Sequence, residues 1–93
     1  MAEDKDEILE LVTHIVRALV DLPDAVDIVA SDKGEGTEFR VRAAPEDVGK
    51  VIGKEGRNAR SIRTLLAAAS MKYRHSFTLV VLDGQAAADG AAR

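Results

Sequence analysis

Residues 46–66 of the chain read EDVGKVIGKEGRNARSIRTLL. Gly53 and Gly56 enclose Lys54 and Glu55, an apolar pair (Val51, Ile52) precedes them, and Arg57, Arg60 and Arg63 follow. Behind the loop, Ala59, Ile62, Leu66, Ala69 and Tyr73 fall at intervals of three and four, the core stripe of a long amphipathic helix. Ahead of it, Pro45 suits a first helical position, and Glu46 and Asp47 suit the positive end of a helix dipole, so a short helix is expected to about Ile52. The stretch predicts two helices joined by a tight glycine turn.

Working outward, Ile8, Leu11, Val12, Ile15, Val16 and Leu19 form a one-sided stripe, so a first helix spans residues 5–20, capped by Asp4 with Glu7 three residues on. Leu22-Pro23 ends it, because the residue before proline avoids helical geometry. The runs AVDIVA (25–30) and TEFRVRA (37–43) flank the turn-rich SDKGEG and read as a β-hairpin. In its second strand Phe39, Val41 and Ala43 take a buried face, and Glu38, Arg40 and Arg42 a wet one. SFTLVVL (76–82) is a last strand, giving the order αββααβ. DGQAAADGAAR (83–93) has the composition of a flexible tail, so a single domain is expected over residues 1–82.

The composition, 46% hydrophobic and 31% charged with no cysteine, is that of a soluble globular protein without disulfide chemistry. No apolar run approaches the ~18 residues of a membrane span, and the acidic N-terminus is unlike a secretory signal, so a cytoplasmic location is expected. The net charge of −3 conceals an uneven distribution. From Arg40 to Arg74 nine basic residues face three acidic ones, and the remainder of the chain carries four basic and thirteen acidic. A basic segment in an acidic shell is how a local anion site looks, and also how a solvated helix face looks.

Glycines at both ends of the turn permit positive φ and close approach by another molecule's backbone. The turn also delivers the N-terminal amides of the long helix to one point, where Lys54 and Arg57 add full charges; phosphate is the preferred anion. Arg57, Arg60 and Thr64 lie roughly opposite Ile62 and Ala69 by helical angle and project outward. Alone, a G-x-x-G spacing is more often plain turn chemistry.

The context adds to it. VIGKEGRNARSI resembles the V-I-G-x-x-G-x-x-x-x-x-I signature of KH domains, and the element order resembles the type II form of that fold. DLPDAVDI, RVRAAPEDVGKVIGKEGR and SIRTLL extend the resemblance, to about Leu82, to small single-KH RNA-binding proteins of bacteria of the KhpA type. The resemblance implies an α+β domain with a three-stranded sheet, helices packed on one face, and single-stranded RNA held in a groove whose loop clamps about four nucleotides. Carried over, Gly53, Lys54, Glu55 and Gly56 are the clamp, Val51, Ile52 and Ile62 the apolar floor or its support, Arg57 and Arg60 the exit side, and the Arg40 and Arg42 face the far wall. Glu55 is at odds with a phosphate unless it points to solvent. Phe39 and Phe77 alternate with polar residues as core residues do, so aromatic stacking is not expected to drive binding.

Rival functions fit less well. The loop is not a P-loop, which requires G-x-x-x-x-G-K-[ST] after a strand. His14 and His75 read as surface residues without a nucleophile or carboxylate partner, and Glu46-Asp47 lacks further metal ligands at fixed spacing, so neither an enzyme nor a metal, cofactor or small-molecule substrate is expected. An interaction module in which the glycine loop is only a structural turn is the alternative. Leu65 sits about 60° from the core stripe at ~3.6 residues per turn, beside a flank of Ser61, Ala68 and Lys72. The resemblance implies a homodimer, or a heterodimer with a larger KH-containing RNA-binding protein, and a role as post-transcriptional regulator or RNA chaperone.

Overall fold

The computed structural model describes residues 2–83, 86 and 87. Helix α1 (Ala2–Leu19) leads through a short 3-10 turn to strands β1 (Asp27–Lys33) and β2 (Gly36–Arg42), then α2 (Val48–Ile52), α3 (Arg57–Tyr73), β3 (Ser76–Asp83) and a two-residue β4 (Ala86–Ala87). The expected αββααβ order holds, with β4 added by its pairing to the end of β3. Except for Asp83, which continues β3, and for Ala86 and Ala87, the expected tail lies outside the described residues.

Strand β2 is central, antiparallel to β1 and parallel to β3. The β1–β2 ladder runs on to Lys33↔Gly36, so both strands reach into the segment expected as a longer turn and leave a two-residue connection. Gly34 makes that possible at φ +62°. Gly36 is required for packing, because a Cβ there would lie 2.7 Å from the Ser76 carbonyl oxygen on β3.

All three helices cover one face of the sheet. Ile8, Val12 and Val16 of α1 and Ala59, Ile62 and Leu66 of α3 are buried with Phe39, Val41, Phe77, Leu79 and Val81 of the strands. Phe39 and Phe77 stack with ring centroids 5.9 Å apart, as core residues should. Two expectations need correction. Asp4 is no cap, because α1 already includes Ala2. Leu11 stands half exposed, at the edge of a stripe whose centre runs through Ile8, Val12 and Val16. Among the described residues no helix is long and apolar enough to cross a membrane.

Candidate nucleic-acid interface

The bend between α2 and α3 is built from backbone first. Gly53 ends α2 at φ +81°, ψ 168°, a conformation closed to residues with a Cβ, and its N–H donates to the Gly49 carbonyl at 2.8 Å. Glu55 and Gly56 follow in left-handed geometry at φ +57° and +76°, and the Gly56 amide closes the turn on the Gly53 carbonyl at 3.0 Å. Gly53 is also pressed by its neighbour: a Cβ there would fall 2.7 Å from the Asn58 amide nitrogen. Asn58 in turn donates its side-chain Nδ2–H to the Lys50 carbonyl at 2.8 Å, tying the first turn of α3 to the last turn of α2. The glycine spacing thus sets a fixed angle between two helices.

A buried carboxylate anchors the other end of α2. Asp47 has no exposed surface and accepts hydrogen bonds from the amides of Leu22 at 2.9 Å and Asp21 at 3.3 Å, in the link from α1 to β1. Lys50 bridges Asp47 at 3.6 Å and Asp21 at 3.4 Å. Burial alone would raise the Asp47 carboxyl, but the two amides and the Lys50 charge outweigh it and hold its pKa below the usual carboxylate value. Its pairing with Asp21 in turn raises the Lys50 pKa.

Side chains around the bend are mostly basic and exposed. Lys54, Arg57 and Arg60 all face solvent. Arg60 turns back to donate Nη2–H to the Glu55 carbonyl at 2.9 Å, and Arg57 Nη2 lies 3.5 Å from the Glu55 carboxylate. Further along α3, Arg63 reaches across to the Leu79 carbonyl on β3 at 3.4 Å; its partial burial lowers its pKa. Three arginines at a spacing of three therefore follow the loop along α3, the last of them reaching β3.

The expected residues divide. Gly53, Lys54, Glu55, Gly56, Arg57 and Arg60 come together at the bend. Val51 and Ile62, at 0% and 3% exposure, belong to the hydrophobic core; of the apolar trio only Ile52 is partly accessible. Arg40 and Arg42 are not brought to the bend. Their register partners and the burial of Phe39 and Val41 put them on the outer face of the central strand, opposite the helices, and Arg40 is paired at 3.5 Å with Glu38. Ser61, Leu65, Ala68 and Lys72 line the exposed flank of α3, with Leu65 at 56% and Met71 beside them at 82% exposure. Lys72 holds its ammonium 5.2 Å above the Tyr73 ring.

The contacts of three residues are not legible in the sequence: those of Asn58, of Arg63 and of Asp47, which reads there only as part of a helix start. Asx residues just inside a helix that follows a glycine turn are a usable signal for the first; nothing local marks the other two. His75 is likewise no simple surface residue, since its Nε2 lies 2.8 Å from the Thr37 hydroxyl, whose residue is buried. Among the described residues no group of three or more His, Cys, Asp or Glu side chains could hold a metal ion.

Against known proteins, residues 9–81 match the family model of the KhpA/KhpB KH domain. The chain is 49% identical over 75 residues to the RNA-binding protein KhpA of Treponema pallidum, covering 80% of this chain and 92% of that one. It is 51% identical over 63 residues to the protein of that name from Caldanaerobacter subterraneus (68% and 84% covered) and 41% over 73 residues to the one from Halalkalibacterium halodurans (78% and 96% covered). No solved structure matches.

Proposed function

Because the chain belongs to the KhpA/KhpB family of KH domains, we propose that it binds single-stranded RNA at the α2–α3 bend, the backbone of about four nucleotides lying against Gly53–Gly56. The observation that carries this reading is the bend itself: a turn that requires glycine at position 53, braced by Asn58, that leaves Lys54, Arg57 and Arg60 exposed at one end of α3. Small relatives named for RNA binding support it. Lys54 and Arg57 meet phosphates, Ile52 offers the accessible part of an apolar floor, and Gly53 and Gly56 let the ribose-phosphate chain come close. Arg40 and Arg42, on the far face of the sheet, have no part in this groove.

Fluorescence anisotropy with a labelled 12-nucleotide single-stranded RNA, and with the same strand in a duplex, tests the reading. Single strands should bind more tightly, and two phosphate contacts should give a log–log salt slope of about −1.4. Equal affinity for the duplex, or a flat salt dependence, overturns it.

The exposed Leu65 and Met71 beside the small Ser61 and Ala68 favour a second role for α3, as the contact with another copy of this chain or with a larger KH-containing partner. Linking two weak RNA sites raises effective affinity, which suits a bacterial, cytoplasmic post-transcriptional regulator or RNA chaperone. Leu65→Lys would set two like charges facing each other in a symmetric dimer. Sedimentation should show a dimeric wild type and a folded monomeric variant; a monomeric wild type at high concentration removes the dimer, and intact RNA binding by that monomer leaves the RNA site standing.

A further inference from the structure

Glu55 is the one acidic residue in the bend, and it is held there in three ways. Its backbone is left-handed at φ +57°, a geometry that a residue with a long side chain rarely adopts. Its carbonyl accepts from Arg60 at 2.9 Å. Its carboxylate faces Arg57 Nη2 at 3.5 Å. In consequence the first two arginines after the loop are turned onto the same residue, one by its backbone and one by its side chain.

From this arrangement we infer that the Glu55 carboxylate is an internal stand-in for a phosphate: it occupies Arg57 in the free protein and is displaced when RNA binds. The inference rests on the RNA reading of the bend. Both partners of the pair are well exposed, and such pairs are weak. A phosphate, which accepts charge-assisted hydrogen bonds from a guanidinium in the same way, therefore wins the exchange. The exchange still has a cost, since Arg57 must leave one anion before it gains another, and Glu55 must then stay near the incoming charge. Glu55 accordingly limits affinity. It also limits salt dependence, because a pre-neutralised arginine releases fewer counterions from RNA than a free one.

The test measures binding of the 12-nucleotide single-stranded RNA from 50 to 200 mM salt for wild type, Glu55→Gln, Arg57→Gln and the double variant. Glu55→Asn, in which asparagine tolerates left-handed backbone, accompanies them to separate charge from strain. Removing the carboxylate should tighten binding about three- to tenfold at the lowest salt and steepen the log–log slope by ~0.7, the increment of one more phosphate contact on a single strand. In the Arg57→Gln background the same change should gain less than about twofold, because the partner it frees is absent. Unchanged or weaker binding by both Glu55 variants overturns the inference while the wild type's own binding keeps the RNA reading. A gain that persists in full without Arg57 also overturns it, since plain repulsion would then suffice. Absence of RNA binding by every variant, all folded by circular dichroism, rejects the RNA reading and this inference with it.

Discussion

The chain contains two turns made of the same four residues. Lys33-Gly34-Glu35-Gly36 joins β1 to β2, and Gly53-Lys54-Glu55-Gly56 joins α2 to α3. In the hairpin one glycine takes positive φ and the other lies flat against Ser76 of β3. In the bend both glycines and the glutamate between them have positive φ, and the cations around them face solvent. Composition is therefore no guide to which turn is the site. The flanking elements decide: a hairpin turn continues a hydrogen-bonded ladder, whereas a bend between helices presents a helix N-terminus and a row of arginines.

Glycine replacement separates the two most sharply. Gly53→Ala and Gly36→Ala each bring a Cβ within 3 Å of backbone, Asn58 nitrogen in one case and Ser76 oxygen in the other. Each should cost about 1–3 kcal/mol, read as a fall in Tm of ~4–8 °C per kcal/mol for a domain of this size. RNA affinity of the folded protein should collapse only for Gly53→Ala. Equal loss in both would mean that fold integrity, not loop geometry, governs binding.

Charge inversion comes next. Changing Lys54 and Glu55 together to aspartate should weaken RNA binding more than about tenfold, the scale of a charged hydrogen bond at ~1.5–3 kcal/mol. The matched pair, Lys33→Asp with Glu35→Asp, should leave it within about twofold, and both proteins should melt within ~0.5 kcal/mol of the wild type as surface variants do. RNA affinity that survives in the bend variant would reduce that turn to the status of the hairpin.

Acid distinguishes the turns through their supports, because the bend hangs from α2 and α2 from Asp47. The lowered pKa of Asp47 means that its contribution to stability is present in full above the ordinary carboxylate value of 3.8 and is lost as pH falls through the folded value. Asp47→Asn should therefore lower Tm by a constant amount near neutrality, and the gap to wild type should narrow below that value. A gap independent of pH would deny the carboxylate its role as an anchor.

The smallest contrast is between Gly34→Ala and Gly56→Ala, where positive φ is the main obstacle and a Cβ meets either nothing or only the Arg60 side chain at 3.7 Å. Both should cost ~1 kcal/mol. Only the second should also reduce RNA affinity, by a few-fold, and melting and anisotropy on the same samples check it.

Much of this is legible in the sequence alone. The stripe Ala59, Ile62, Leu66, Ala69 and Tyr73 is local information repeated over several turns, and α3 has the bounds and the buried face it predicts. Period-two alternation likewise separated Arg40 and Arg42 from Phe39 and Val41. Assigning those arginines to the groove went against that alternation, since the buried face is the one the helices cover. Asp47 was unreadable because its partners are amides 25 and 26 positions earlier, and a carboxylate after proline looks the same whether it faces water or another chain segment. The Thr37–His75 contact depends on the parallel β2–β3 register, which no local pattern encodes.

That parallel register also bears on how the domain comes into being. Strands β2 and β3 pair from Gly36↔Ser76 to Val41↔Val81, so the closing partner of the central strand arrives only after α2, the bend and α3 have been made. Non-local pairing of this kind raises contact order and slows folding relative to a helical bundle, since the entropy of closing the intervening chain is lost before the contacts form. During synthesis the bend would leave the ribosome well before β3, with α3 lacking the strand surface that buries its apolar side. A nascent chain stalled ahead of Ser76 therefore carries every residue of the GKEG loop before the sheet edge that α3 packs on is complete.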